Sequence, residues 1–513
     1  MKILTILLLF IVNGLVISAQ TITPSTLSFP KNSYEAINQL ALPTKGDAVF
    51  DTTFNVLRVY NGIKWIPLGT DEKNPLMTAW SGGGALSEVG LDIVVDTDDN
   101  LYVVGIFNLT AIFGSLSIVA SDTSAIFLAK YDKTGKLLWV KSIASNIGFG
   151  VSDMSLCISS TGELYATGVF RDSVNFGVGI LSALPRKAEG FLAKLSSEGV
   201  PLWIKKIDSA NALLINDIEL DKADNIYIVG TFFDSATFGT ITLTSVGVND
   251  FFLASYTPDG TFRWARQGGS EGSNYDFCTS VAISSRNQIY ITGSFVGKFR
   301  IGNQILETLG NQNMYLARYS TNGDFMSVFQ AHGDVNNLRG NVEGVRVIAN
   351  NRDDIYVAGR FQGAAAFGIY KLIGSLNTYQ IFLARFSETN VVAAFETQGE
   401  FLNGVSLTAD GDGAVYLAGV FKGNAIIKSL APKIISATGG FDFFVAKYSN
   451  NYPAEWVISG GGKETDIVTN MVIGQNKNIY LTGQYLGESI IGNTRLKNAS
   501  FLTDMFFIRL VQP

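Results

Sequence analysis

The sequence has few of the residues on which most metal and nucleophile chemistry depends. Among 513 residues there is one histidine, His332. A single histidine excludes multi-histidine metal sites and leaves one candidate for a histidine-dependent triad, and no Gly-x-Ser-x-Gly elbow accompanies it. We therefore expect His332 to lie in a loop between structural units and not to act in catalysis.

Cysteine is almost as scarce, since only Cys157 and Cys278 are present. Two cysteines in a chain of this length do not make a disulfide scaffold. They stand at different distances from the repeat motif described below, in non-adjacent repeats. We expect two buried, unbridged thiols.

Basic clusters and long apolar runs are also lacking. The formal charge is −6 and no long basic run occurs, so the phosphate-neutralising surface of a nucleic-acid-binding protein is not expected. Beyond the N-terminus no apolar stretch is long enough to span a membrane. Lys2, the apolar run 3–12 and the small pair Ser18-Ala19 predict a signal peptide over residues 1–19. The sequence thus predicts a secreted protein, placed outside the cell, on its surface or in the periplasm, with no transmembrane segment after cleavage.

Residues 20–74 form a second region without the repeat. A polar, proline-containing stretch predicts a linker, and alternating residues around Asn61-Gly62 predict a β-hairpin. The string from Gly46 to Trp65 resembles a short β-module of bacterial surface and tail-fibre-like proteins, which implies display or attachment. The alternative is a small hairpin docked beside the main domain.

The rest of the chain, 75–513, is dominated by a Tyr-x-x-Gly-x-Phe motif that occurs seven times at spacings of 60 to 66 residues. A fixed period of this kind is typical of repeat architectures. Its tyrosines are Tyr102, Tyr165, Tyr227, Tyr290, Tyr356, Tyr416 and Tyr480.

Each repeat contains four short strand signals separated by turn residues, and long helical patterns are missing. Four-stranded units covered by their neighbours predict an all-β, seven-bladed β-propeller. The last repeat lacks its fourth, tryptophan-bearing strand, whereas an orphan copy surrounds Trp80. We expect this N-terminal strand to complete the last blade and close the ring. The long insertions between second and third strands are expected to project from one side as binding loops.

This pattern, with Phe-ϕ-Ala-Lys in the third strand and Gly-x-x-x-Trp in the fourth, resembles the bacterial seven-bladed β-propeller repeat family (SBBP repeats). The resemblance covers about 76–513. It implies secretion and a binding or scaffold role, and it implies no shared catalytic residues. The sequence departs from the family pattern at Ser327, which replaces the fourth-strand tryptophan, and in the fifth repeat near Phe395.

A set of polar residues stands ten positions before each repeat tyrosine, and an apolar residue always follows. Period-2 alternation directs this set away from the blade core, towards the mouth of a central channel. Either the set forms a ligand or ion site on the axis, or it is a solvated channel wall. The candidate ligand-binding residues are Asp92, Ser155, Asp217, Ser280, Arg346, Ser406 and Asn470.

Calcium is the one cofactor left open, with weak candidate ligands Asp96, Asp98, Asp410 and Asp412 in two turns. The leading functional hypothesis is a monomeric, non-enzymatic binding or scaffold module for a glycan or an envelope or extracellular protein. The alternative is a polysaccharide lyase or hydrolase that uses acidic residues at the channel mouth.

Overall fold

The computed structural model describes an all-β protein. The described residues are 75–512, except 146–153, 310, 334–339, 402–404, 429–432, 450–453 and 499–501, together with 11–12, 15–16, 31–32, 43–51, 56–60 and 65–67. No helix occurs among them, so none is long and apolar enough to cross a membrane. The chain divides into two compact units, Met1–Glu72 and Lys73–Pro513.

The N-terminal unit contains short strands. Ala48–Asp51 and Val56–Tyr60 pair antiparallel, and Val56–Tyr60 also pairs with Trp65–Pro67. This is the hairpin that the sequence predicts, although its turn, Asn61-Gly62, lies outside the described residues. So does the predicted signal peptide, apart from the paired strands Ile11–Val12 and Leu15–Val16. Lys31–Asn32 pairs in parallel with Ala48–Asp51.

The second unit contains seven repeats of four antiparallel strands, which pair in chain order in the first six; in the seventh the fourth strand comes from the start of the unit. The first strands are Val89–Val95, Met154–Ile158, Leu213–Leu220, Phe277–Ile283, Asn341–Ala349, Ser406–Ala409 and Asp466–Ile473. The second strands are Leu101–Phe113, Leu164–Phe170, Ile226–Phe238, Gln288–Phe295, Asp354–Gln362, Val415–Ile427 and Ile479–Tyr485. The third strands are Leu116–Tyr131, Glu189–Leu195, Ile241–Tyr256, Asn313–Ser320, Gln380–Ser387, Lys433–Tyr448 and Asp504–Val511. The fourth strands are Leu137–Ser145, Pro201–Ser209, Phe262–Ser270, Phe325–Gly333, Asn390–Glu396, Ala454–Gly462 and, for the last repeat, Leu76–Gly84.

The repeat motif is explained by contacts between and within the repeats. The buried hydroxyl of Tyr102 donates to the carbonyl of Ser197, in the turn before the fourth strand of the next repeat (3.1 Å). Tyr480 bonds in the same way to Lys133 (3.1 Å), across the junction between the last and first repeats. The motif glycine faces a first-strand carbonyl so closely that a Cβ on Gly230 would lie 1.9 Å from the oxygen of Leu214.

The strand Leu76–Gly84 joins the last repeat to the first, because its end, Gly82–Gly84, also pairs with Leu101–Phe113. It pairs with the third strand of the last repeat, from Leu76 opposite Val511 to Gly82 opposite Met505. This is the pairing that the orphan tryptophan motif predicts. Trp80 is shifted two residues along the strand relative to the other tryptophans, and it stacks on Phe507 (5.3 Å between ring centroids).

The insertions between second and third strands fold as β-hairpins, which we call arms. Each arm pairs with the chain of the preceding repeat, as in Gly268 opposite Ile301 and Gly461 opposite Ile490. The expectation of loops is therefore wrong at these positions, because the arms are paired strands whose backbone donors and acceptors tie neighbouring repeats together. Their binding role stays a prediction. In four repeats the arm strands are separate from the second and third strands: Ser173–Asn175 with Ile180–Ser182, Lys298–Ile301 with Gln304–Glu307, Ala364–Phe367 with Tyr370–Ile373, and Glu488–Ile491 with Thr494–Lys497. The arm of the sixth repeat pairs with the strand Gln398–Phe401, which lies between the fifth and sixth repeats.

Candidate axial site

The seven first strands form a closed circle, because each contacts the next and the seventh contacts the first. Their polar residues are brought together on its inner side as a group that we call the axial belt, consisting of Asp92, Ser155, Asp217, Ser280, Arg346, Ser406 and Asn470. Arg346 and Asn470 are half-buried and the other five are buried. The proximity of the seven is thus a property of the structure, while their role in ligand binding stays a prediction.

Hydrogen bonds link the belt from one repeat to the next. The hydroxyl of Ser155 donates to Asp92 (2.9 Å), and that of Ser406 donates to Asn470 (2.7 Å). The amide of Asn470 in turn donates to Asp92, which joins the last repeat to the first. Belt side chains also accept from the backbone of the following repeat, as when the Leu156 N–H donates to Asp92 (2.7 Å). The hydroxyl groups of Ser155 and Ser406 thus donate their hydrogen bonds to side chains of neighbouring repeats.

Asp217 and Arg346 carry opposite charges within the belt. An Arg346 Nη1 lies 3.2 Å from Asp217 Oδ2, and the same carboxylate accepts from the hydroxyl of Ser280 (2.7 Å) and the N–H of Val281 (3.0 Å). The side chains are 20% exposed for Arg346 and 11% for Asp217, so both remain within reach of solvent. Burial is the largest influence on Asp92 and raises the pKa of its carboxyl, against the lowering effect of Arg346.

Glu219 is an acidic residue beside the belt that sequence reasoning missed. It lies two residues after Asp217 on the same strand, and alternation therefore directs it to the same inner face. The matching positions in the other repeats hold no charge: they are Val94, Cys157, Ala282, Ile348, Thr408 and Val472. Burial in this setting, reinforced by the charges of Asp217 and Asp92, raises the pKa of Glu219 to about 7. An acid at an otherwise uncharged repeat position was the available signal.

The arrangement places two carboxyl groups with different surroundings at one site. Glu219 accepts one hydrogen bond, from the N–H of Leu220 (3.1 Å), and its raised pKa of about 7 leaves a substantial fraction of the group protonated near neutral pH. Asp217 is held by an arginine and by two further donors. Two carboxyl groups in different surroundings are the arrangement that separates acid from base in glycoside cleavage.

The calcium candidates lie in turns that already use their oxygen atoms. Asp96 accepts from the N–H groups of Asp98 (3.0 Å) and Asn100 (2.8 Å), and Asp410 accepts from the N–H of Asp412 (3.0 Å) and the hydroxyl of Tyr416 (2.8 Å). Asp412 pairs with Lys477. Within the described ranges no group of three or more acidic, histidine or cysteine side chains is placed to hold a metal. Calcium binding stays a prediction.

Among the described residues, neither the histidine nor the cysteines belong to a metal-ligating group. His332 lies within the strand Phe325–Gly333, opposite Ala366 of the next arm, and not in a loop as expected. His332 is part of the strand because the arm of the fifth repeat pairs with its end, His332 and Gly333. Cys157 and Cys278 are both free and buried, which confirms the prediction of unbridged thiols.

A second acidic pattern was also missed. At three repeat junctions a glycine in the fourth strand leaves space for a buried carboxyl of the third strand: a Cβ on Gly461 would lie 2.3 Å from Asp442, and a Cβ on Gly83 would lie 2.2 Å from Asp504. A second buried acid accepts from the same strand, as Asp466 does from the Gly462 N–H (2.7 Å). The pairs are Asp250 with Asp276, Asp442 with Asp466, and Asp504 with Glu88. The signal was the recurrence of Gly-Gly with an acid two residues before the third-strand aromatic.

Comparisons with known proteins support a repeat β-propeller. The chain is 23% identical over 319 residues to an uncharacterised WD repeat-containing protein of Acanthamoeba polyphaga mimivirus; the match covers 54% of this chain and 23% of that protein, so the chain spans about a quarter of the relative's length. No family model matches the chain.

Among solved structures, similar chains include a protein of unknown function from Dyadobacter fermentans (TM-score 0.41, 10% identity, 85% of this chain and 99% of that one). A GH93 α-L-arabinofuranosidase of Fusarium graminearum gives a TM-score of 0.40 at 10% identity over 71% of this chain and 93% of that one. A PL25 ulvan lyase gives 0.40 at 8% identity over 78% and 93%. They assign no activity to this chain.

These comparisons correct one expectation. The conclusion that the protein is not an enzyme is wrong as an inference from this architecture, because the similar solved structures include a glycosidase and a polysaccharide lyase. The fold therefore gives no ground for excluding catalysis.

Proposed function

We propose that this protein cleaves a polysaccharide at the axial site, with Glu219 as the proton donor. The observation that carries the proposal is a carboxyl group whose pKa is raised to about 7, on the same strand face as the arginine-paired Asp217. A catalytic acid is most effective when its pKa lies near the working pH. Hydrogen bonds between repeats explain why serines stand in the belt. No such contact explains the acid at position 219, since the matching positions of the other repeats are uncharged.

In the proposed reaction Glu219 gives its proton to the glycosidic oxygen as the carbon–oxygen bond breaks. The charged carboxylate of Asp217 stabilises the positive charge that develops on the sugar ring. In a hydrolase, water then adds to the sugar carbon and its proton returns to the Glu219 carboxylate. In a lyase acting on a uronate no such positive charge develops: Asp217 takes the proton from the carbon next to the uronate carboxyl as the carbon–oxygen bond breaks, and the product is unsaturated. Arg346 keeps Asp217 in place and moderates the negative charge of the site.

The proposal includes the architecture and setting of the site. The seven repeats are the blades of a seven-bladed propeller of four-stranded blades, of the SBBP type. The closed contact circle of first strands and the closing strand Leu76–Gly84 support this. The protein is a secreted monomer that meets its polysaccharide outside the cell or in the envelope.

The test is a panel of acidic and neutral polysaccharides incubated with the purified protein, with calcium or with a chelator. Reducing ends would identify a hydrolase, and an ultraviolet-absorbing unsaturated end would identify a lyase. Glu219→Gln should lower turnover by about 10²–10⁴-fold, the range for losing a general acid. The rate should fall as pH rises through about 7, since Glu219 then loses its proton.

Asp276→Asn is the matched control, because Asp276 also has a pKa of about 7 but lies at a junction between repeats, away from the axis. It should retain wild-type turnover. Equal turnover in Glu219→Gln and wild type would contradict the assigned role. Absence of turnover on every polysaccharide would contradict the proposed function.

A further inference from the structure

A cleft of about 260 Å³ lies between the fourth strand of the third repeat and the arm of the fourth repeat. Gln267 and Glu271 line one wall, and Lys298, Arg300 and Ile305 line the other. The walls are held together by backbone pairing of Gly268–Ser270 with Phe299–Ile301. The cleft is therefore a fixed feature of the fold.

The cations of the cleft are available to a ligand. Lys298 and Arg300 alternate with the buried Phe299 and Ile301, so both side chains emerge on one side of the arm. Arg300 lies opposite Gly269, which has no side chain to cover it. Within the described ranges neither cation forms an ion pair, although Lys298 faces Glu307 across the arm hairpin.

Nothing in the repeat requires these charges. At corresponding arm positions the second repeat has Ser173 and Asn175, and the fifth has Ala364 and Ala366. In the seventh repeat the position holds Glu488, which pairs with Arg495 at 2.6 Å. At these positions the three other arms compared carry no unpaired cation, although the fifth arm has the exposed Lys371 on its second strand.

The opposite wall offers hydrogen-bond acceptors for hydroxyl groups. Glu271 is exposed, and its loop also carries the exposed ring of Tyr275. Gln267 and the buried Asp250 bond to each other (3.0 Å), and Asp250 also accepts from the Val246 N–H (3.2 Å). Cations on one wall and acceptors on the other suit a ligand that has both carboxylate or sulfate groups and hydroxyls.

We propose that this cleft binds a segment of an anionic polysaccharide, with Lys298 and Arg300 contacting its acidic groups. That the ligand is a polysaccharide rests on the proposed function; the two cations narrow it to polysaccharides that carry acidic groups. The cleft lies outside the axial belt, so it anchors the chain on the polymer and does not take part in bond cleavage.

The test measures binding of polygalacturonate to the full-length protein by isothermal titration calorimetry, with neutral dextran as the comparison. The charge-reversed variant Lys298→Glu/Arg300→Glu should bind polygalacturonate about tenfold more weakly, and the wild-type affinity should fall with added salt. Lys371→Ala, which removes an exposed cation from the arm of the fifth repeat, should bind as wild type does.

Folding is controlled by the melting temperature and by the neutral variant Lys298→Gln/Arg300→Gln, which keeps the hydrogen-bonding capacity of the arm. Wild-type affinity in the charge-reversed variant, equal binding of dextran, or no binding of polygalacturonate by the wild type would overturn the proposal. Glu219→Gln should lose turnover and keep this affinity. Retained turnover in Glu219→Gln would refute the axial role alone, so the two proposals fail separately.

Discussion

Gly230 shows how a single repeat residue is fixed by its neighbours. Its missing Cβ would lie 1.9 Å from the Leu214 carbonyl oxygen and 2.8 Å from the ring of Phe252. The close approach to a first-strand carbonyl oxygen recurs at Gly105, Gly293, Gly359 and Gly483. The glycine of the Tyr-x-x-Gly-x-Phe motif is therefore needed for close approach of the first and second strands, not for an unusual φ.

We predict that Gly230→Ala destabilises the protein by about 1–3 kcal/mol, the usual cost of forcing atoms into a packed core. Chemical denaturation monitored by tryptophan fluorescence measures it. Gly411→Ala is the matched control, since no atom lies within 4 Å of its Cβ position and its φ is not positive. Equal stability of the two variants would show that the second strand shifts to accept a methyl group.

At the scale of the element, the nine-residue strand Leu76–Gly84 protects the edge of the last repeat. Without it, the third strand Asp504–Val511 would present an unpaired edge that carries Phe506 and Phe507. An exposed apolar edge strand invites pairing with another chain. Closure of the repeats is thus also protection against association.

Deletion of residues 75–85 should give an oligomeric or poorly soluble product with a lower melting temperature. Size-exclusion chromatography with light scattering, together with thermal unfolding, measures both effects. Deletion of 1–72 is the control, because it removes a separate compact unit and leaves the closing strand. A soluble product of the 75–85 deletion that melts as the full-length protein does would contradict this account.

At the scale of the whole molecule, periodicity predicted much more of the fold than of the site. Seven evenly spaced motifs and the orphan Trp80 were enough to predict the repeats and the closing pair, because both follow from local strand patterns. The arms were mistaken for loops, since their pairing partners lie in the preceding repeat. Glu219 was missed because its raised pKa comes from burial and from the nearby charges of Asp217 and Asp92, and a comparison of its position across the seven repeats was the only sign of it in the sequence.

The buried acids at three repeat junctions give the molecule a pH dependence. Burial is the largest influence at each, and it raises the pKa of Asp250 and Asp504 to about 6, of Asp276 and Asp466 to about 7, and of Glu88 to about 8. Groups with a raised pKa in the folded state bind more protons there than in the unfolded chain. Their stabilising contribution is complete below the unfolded pKa, near 4, and is lost as pH rises through 6 to 8.

We therefore predict that the melting temperature falls between pH 5 and pH 8.5. Half-buried acids whose pKa is lowered, such as Asp132 and Glu488, change their contribution only below their ordinary pKa and so leave this window unaffected. Asp466→Asn removes one group with a raised pKa at nearly constant shape, so the melting temperature of this variant should depend less on pH. Glu464→Gln, two residues earlier in the chain, should leave the pH dependence unchanged. A melting temperature that is constant or rises over this range would mean that the buried acids stay charged at the junctions and are compensated there.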